Sequence, residues 1–115
     1  MSDPQGFEWI ASDAALAAVV DGLRTVEAVA VDTEFRRRDT FFPQIALVQL
    51  AYRDQCWLID PLALQDAGSL GDLLTDPSVI KVLHSASEDL EVFEHWLGVL
   101  PRPLFDTQKA AAMLN

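Results

Sequence analysis

Apolar positions along the chain follow two periods that take turns. After Ser12 and Asp13, which can cap a helix, Leu16, Val19, Val20 and Leu23 fall three and four residues apart, as one face of a helix requires. Ala28 to Thr33 is a short valine-bearing run suited to a buried strand. Ile45–Ala51 and Cys56–Asp60 read as two more strands, joined through the polar Tyr52-Arg53-Asp54-Gln55 into a hairpin. Ser69 followed by Asp72 opens a brief helix with Leu70, Leu73 and Leu74, and Asp76-Pro77 stops it. Val79–Leu83 is a further strand. Ser85-x-x-Glu88 is a capping box, and Ala86, Leu90, Phe93 and Leu97 line one face of the helix behind it until Gly98. Leu104-Phe105 is a last short apolar pair, and Asp106 or Thr107 caps a final helix with Ala110, Met113 and Leu114.

After the opening helix this order is β-β-β-α-β-α-β-α, an α/β fold. It predicts a mixed sheet with an antiparallel hairpin and later strands entering through helical crossovers. The last helix is apolar to Met113-Leu114 with no cap but Asn115, so residues 1–115 are expected to be a C-terminally truncated part of one domain. Apolar residues left bare on that helix would favour self-association.

Composition narrows the function classes. Half of the 115 residues are hydrophobic and 23% are charged, enough for a packed core and too apolar for disorder. The longest apolar stretch, Ala14–Val20, falls well short of the roughly 20 residues of a membrane span, so no membrane partner is expected. Met1–Gln5 lacks the basic segment of a secretory leader. The lone Cys56 excludes an internal disulfide and is expected in the core of a cytoplasmic protein. A net charge of −10 excludes a broadly basic nucleic-acid surface. Nucleic-acid chemistry would have to enter through metal ions, local arginines or other parts of the protein.

The sharpest chemical feature is Val31-Asp32-Thr33-Glu34-Phe35. Residues two apart in a strand face the same side, about 7 Å apart, so Asp32 and Glu34 project together from an apolar strand. Two readings stand: a solvated strand end, or oxygen donors gathered for a hard cation. Asp89 lies in the first turn of the helix after Ser85, roughly 60° from Ala86 and 40° from Phe93, inside the arc that faces the core. The helix dipole favours an acid there, but Glu88 already fills that place. A core-facing acid is better explained by a partner. Parallel neighbouring strands Ala28–Thr33 and Val79–Leu83 would bring the three carboxylates to one edge.

These residues, with Thr40–Gln44, Leu47–Leu50, Leu58–Leu62, His84–Phe93 and Pro103–Gln108, resemble the ribonuclease-D-type 3′→5′ exonucleases of the DEDD superfamily. The resemblance runs from Trp9 to the end and rests on several motifs in the family's order. It implies a ribonuclease-H-like sheet and a two-metal hydrolysis that trims RNA 3′ ends, tRNA precursors typically. It also implies Mg2+ or Mn2+, with Asp32 bridging two ions, Glu34 on the ion that activates water, and Asp89 on the other. Residues beside the acids, Thr33 and Phe35, would contact the terminal nucleotide, as would His84 if it faces the cleft. Phe35 reads equally as a core aromatic, and His84 as a satisfied structural histidine. The family's third motif, a tyrosine or histidine followed four residues later by an aspartate, falls beyond Asn115, and activity of the chain alone is expected to be slight. Arg36-Arg37-Arg38 is the one basic cluster, either meeting phosphates or solvated. An incomplete, fold-retaining fragment and a DNA-directed proofreading exonuclease are the competing readings.

Overall fold

The computed structural model describes residues 6–36, 44–84 and 86–114. The elements are β1 (Phe7–Ile10), α1 (Asp13–Gly22), β2 (Ala28–Arg36), β3 (Gln44–Tyr52) and β4 (Gln55–Ile59). A single 3-10 turn, Pro61–Ala63, leads to α2 (Gly68–Thr75), β5 (Ile80–Leu83), α3 (Ala86–Leu97), β6 (Leu104–Asp106) and α4 (Thr107–Leu114). The sheet has six strands in the order β1-β4-β3-β2-β5-β6. β3 runs antiparallel to both β2 and β4, while β1 pairs parallel with β4, β5 with β2, and β6 with β5. The expected α/β mixed sheet, hairpin and crossovers are all present.

Local chemistry sets the element ends. Ser12 takes an extended backbone and its hydroxyl accepts from Ala15 N at 3.1 Å, so Ser12, not Asp13, caps α1. Asp13 instead accepts from Gln65 N and Asp66 N, tying the start of α1 to the loop before α2. In the hairpin turn Arg53 adopts φ 56° and its guanidinium lies 5.3 Å from the Tyr52 ring centre. Asp106 accepts from Gln108 N at 2.9 Å, which settles the cap of α4.

One face of the sheet is covered. Val29 and Val31 of β2, Val48 and Leu50 of β3, Trp57 and Ile59 of β4, Ile10 and Leu83 form a single buried cluster with Leu16 and Val20 of α1, Leu70, Leu73 and Leu74 of α2, and Phe93 of α3. Strand alternation sends the other parity to the opposite face, where Trp9, Leu58, Gln49 and Asp32 form one row across four paired strands. Ala30, Asp32 and Glu34 are exposed there, and Trp9 is 53% exposed.

Several expectations need correction. β1 was not expected: its four residues sit at the sheet edge and alternate too briefly to give a periodic signal. α2 begins at Gly68 rather than Ser69, behind Ala67, which offers no side-chain cap. Cys56 is half-buried in the row facing away from the helices, because its neighbour Trp57 takes the inward position. Lys81, unremarkable in the sequence, is fully buried. Its ammonium donates to Asp76 O at 2.7 Å and to Val79 O, and burial pushes its pKa below the ordinary 10.5. The capping residue Ser85, the arginines at 37 and 38, the Thr40–Pro43 part of the expected motif, and the side chains after Ala110 lie outside the described residues.

Phe93 is fully buried and anchors α3, the helix that carries Asp89, to the sheet. Phe93→Ala should cost about 3–5 kcal/mol. A urea titration should show the loss as a lower midpoint, and an unchanged midpoint would contradict this packing.

Candidate active site

β2, β5 and β6 run parallel, so their carboxyl ends open at one edge of the sheet. That edge gathers the chemistry-bearing residues. Asp32 and Glu34 leave β2 toward the open face, and Asp32 Oδ1 accepts from Thr33 N at 3.0 Å. Immediately after Glu34 the β2–β3 register shifts. The extra residue is Ala46 of β3, a bulge in the partner strand. Phe35, half-buried, follows that shift and pairs with Ile45.

Thr33 points the other way, because alternation between two exposed acids leaves it on the helix-covered face, 8% exposed. The first turn of α3 reaches it there. Thr33 Oγ1 donates to Asp89 Oδ1, and Asp89 is itself only 6% exposed. The Thr33 hydroxyl is thus engaged by a carboxylate. Its role is to position Asp89.

Burial is the main cause that raises the pKa of Asp89 above its ordinary 3.8. The Thr33 hydrogen bond works against it, and the charges of Asp32, Glu88 and Asp106 raise it further. Among the described residues, the charges that act on Asp89 are all negative. Asp106 ends β6 at the same edge, level with Leu83. His84 follows β5, exposed, with Nδ1 at 2.8 Å from Thr107 Oγ1.

The edge therefore brings Asp89 into the field of Asp32 and against Thr33, with Asp106 and His84 alongside. Among the described residues, no set of three histidine, cysteine, aspartate or glutamate side chains is placed to hold a metal ion. Asp32 and Glu34 leave β2 on its open face, and Asp89 approaches the same stretch of strand through Thr33 between them, close enough for the charge of Asp32 to act on it. In donor type and field the acids suit a divalent cation. They are hard oxygen donors, and the excess negative charge around a buried carboxylate is what a cation would relieve. The sequence pattern found Asp32, Glu34, Asp89 and His84. It missed Asp106 and Thr107 as neighbours of the site, since both read as helix-capping residues and nothing local says where β6 lies.

Comparison with known proteins places this edge in context. The sequence profile of the 3′-5′ exonuclease family matches residues 7–115. Ribonuclease D of Pseudomonas paraeruginosa is 54% identical over 108 residues, which are 94% of this chain and 29% of that protein. The crystal structure of Escherichia coli RNase D, an exoribonuclease involved in structured RNA processing, superposes with a TM-score of 0.89 at 47% identity. It covers 92% of this chain and 28% of that one. Trypanosoma brucei RNase D in complex with RNA U12 matches with a TM-score of 0.79 at 25% identity, over 89% of this chain and 37% of that one. The chain thus spans less than a third of the length of the bacterial relatives it matches.

A carboxyl group whose folded pKa is raised binds its proton more tightly folded than unfolded. The stability this gives is complete below the ordinary value of 3.8 and is lost as pH climbs through the raised one. Asp89→Asn keeps an oxygen for the Thr33 hydroxyl and removes the charge. At pH 7 without divalent ions it should raise the melting temperature by about 2–6 °C and flatten the decline between acid and neutral pH. Thermal melts across that range check this, and a variant less stable than the parent at pH 7 would refute the electrostatic account.

Proposed function

The chain belongs to the 3′-5′ exonuclease family, and from that premise we propose that it supplies the acidic edge of an exoribonuclease site that shortens RNA from its 3′ end, tRNA precursors among the substrates. The observation that carries this reading is the carboxyl edge of β2, where Asp32 and Glu34 stand on the open face and Asp89 lies in the field of Asp32. Relatives 54% identical over 108 residues and 47% identical over 106 residues are named Ribonuclease D, which favours RNA over DNA as substrate.

Phosphodiester hydrolysis needs a deprotonated water and relief of charge on the phosphoryl and leaving oxygens. Asp32, Glu34 and Asp89 are the side chains that would hold Mg2+ or Mn2+. Bound divalent ions supply a low-pKa water and polarise the phosphoryl oxygens. The chain's own residues set the stage. Thr33 keeps Asp89 oriented, and the charges of Glu88 and Asp106 deepen the negative potential that draws a cation in. That potential also repels a polyanion. With a net charge of −10, affinity for RNA has to come through bound cations and contacts outside the described residues. The chain by itself should therefore bind RNA poorly, without the steep gain at low salt that a basic binder shows, and degrade it slowly at most.

The test exchanges this chain for the homologous region of the Pseudomonas relative. The chimera should shorten 5′-labelled single-stranded RNA from the 3′ end with Mn2+ and stop when EDTA is added. Asp32→Asn, nearly isosteric, should lower the rate at least about a hundredfold while leaving circular dichroism unchanged. Near-parent turnover by that variant would remove Asp32 from the mechanism. A folded chimera that is inert on RNA would favour a module that keeps only the fold, and faster digestion of DNA would favour the proofreading reading.

A further inference from the structure

We propose that the open face of the sheet is a contact surface for a second copy of this chain, which closes as a two-fold dimer over β3 and β4. Strand register defines the face. Phe105, Val82, Ala30, Ala51, Cys56 and Phe7 are successive partners across all six strands, and residues paired in register share a face. None of the six belongs to the buried cluster under α1, α2 and α3. Strand alternation adds Ile80 on β5 and Trp9 on β1 to the same face. Trp9, Ile80 and Phe105 are 53%, 42% and 49% exposed. Side chains of that size are ordinarily covered in a sheet with this much parallel pairing, here β1 with β4, β2 with β5 and β5 with β6.

The distribution of sizes along the row is self-complementary. β1 carries the aromatics Phe7 and Trp9, while β3 and β2, further in, carry Ala51 and Ala30. A two-fold axis along the strands, between β3 and β4, lays β1 of one copy over β2 of the other. Phe7 of each copy then meets Ala30 of the other, as an isologous contact requires. Four strands about 4.8 Å apart, each showing two or three residues to this face, offer on the order of 500 Å2 a side. Both sides together come to about 1,000 Å2, the lower bound for specific association, so the dimer is expected to be micromolar. The row from Phe105 to Phe7 holds no charged residue, whereas each whole chain carries −10. Apolar burial therefore drives this contact and net charge opposes it, which fixes the sign of its salt dependence. Cys56, in the same row on β4, comes to lie beside the axis and its own copy.

Sedimentation equilibrium of the chain from about 5 to 500 μM should show monomer passing into dimer. The dissociation constant should be about three- to tenfold lower in 0.5 M than in 0.05 M NaCl, because salt shortens the reach of the repulsion. A short-armed bismaleimide should join Cys56 to Cys56, and as this is the one cysteine, the link reports this face alone. Ala30→Glu, which sets a charge into the row, and Trp9→Gln should each raise the dissociation constant at least about tenfold and remove the link, with circular dichroism unchanged. Should Ala30→Glu fail to fold, Trp9→Gln, at a half-exposed position on the sheet edge, still decides. Leu62→Gln, at a site 87% exposed but outside the sheet, should leave the constant unchanged. A monomer at every concentration, open-ended aggregates, a dimer that loosens with added salt, or one that both face variants leave intact would each overturn the proposal. A monomeric chain whose Cys56 is shielded from maleimide only within the chimera would give the face to the rest of the longer protein, and would overturn it as well.

Discussion

A strand can face two ways, and β2 uses both within three residues. Asp32 and Glu34 take the open face, and Thr33 between them takes the covered one, where its hydroxyl reaches Asp89. That hydrogen bond spans 56 residues of sequence and fastens the first turn of α3 to the strand carrying the other two acids. A carboxylate buried beside three other negative charges is costly to ionise. The Thr33 hydroxyl offsets part of that cost and fixes where Asp89 sits. The edge is therefore under electrostatic stress that the fold sustains and a cation would relieve. Sites tuned for chemistry commonly give up local stability in this way.

What sustains the stress is the packing behind it. α1, α2 and α3 all press on the same sheet face, and Phe93, eleven residues before the short β6, locks α3 against the same buried cluster as Val31. Lys81 contributes from β5 by holding the carbonyls of Asp76 and Val79, which fixes the turn that delivers β5 beside β2. Without the parallel pairing of β5 and β2, the first turn of α3 would not arrive at Thr33. Packing on one face thus determines the geometry at the edge of both.

Most of the architecture could be read from periodicity because those elements are amphipathic: a helix with one apolar stripe and a strand with one buried parity each announce themselves. Leu16, Val20 and Leu23, or Leu70, Leu73 and Leu74, needed no tertiary information. Phe7–Ile10 lay beyond such reading, since a four-residue edge strand is specified by the neighbour that offers it hydrogen bonds. The acids themselves were legible from the strand period and the helix angle. The contact that brings Asp89 to them was not, because it depends on which residue of β2 meets α3. A strand period states that Asp32 and Glu34 agree in direction; only packing states that Asp89 meets the residue between them.

The same distinction separates Asp106 and Thr107 from the readable part of the site. In sequence they are a helix cap, and in the structure they are that too, with Asp106 accepting from Gln108 N. Parallel pairing with β5 adds a second part, because the cap then falls at the edge where β2 ends. Asp106 lends its charge to Asp89, and Thr107 holds the His84 ring. A cap is a local device whose requirements are met by one oxygen and two backbone N–H groups. Residues with a complete structural explanation thus still act on the chemistry beside them, Asp106 through its charge and Thr107 through its contact with the His84 ring.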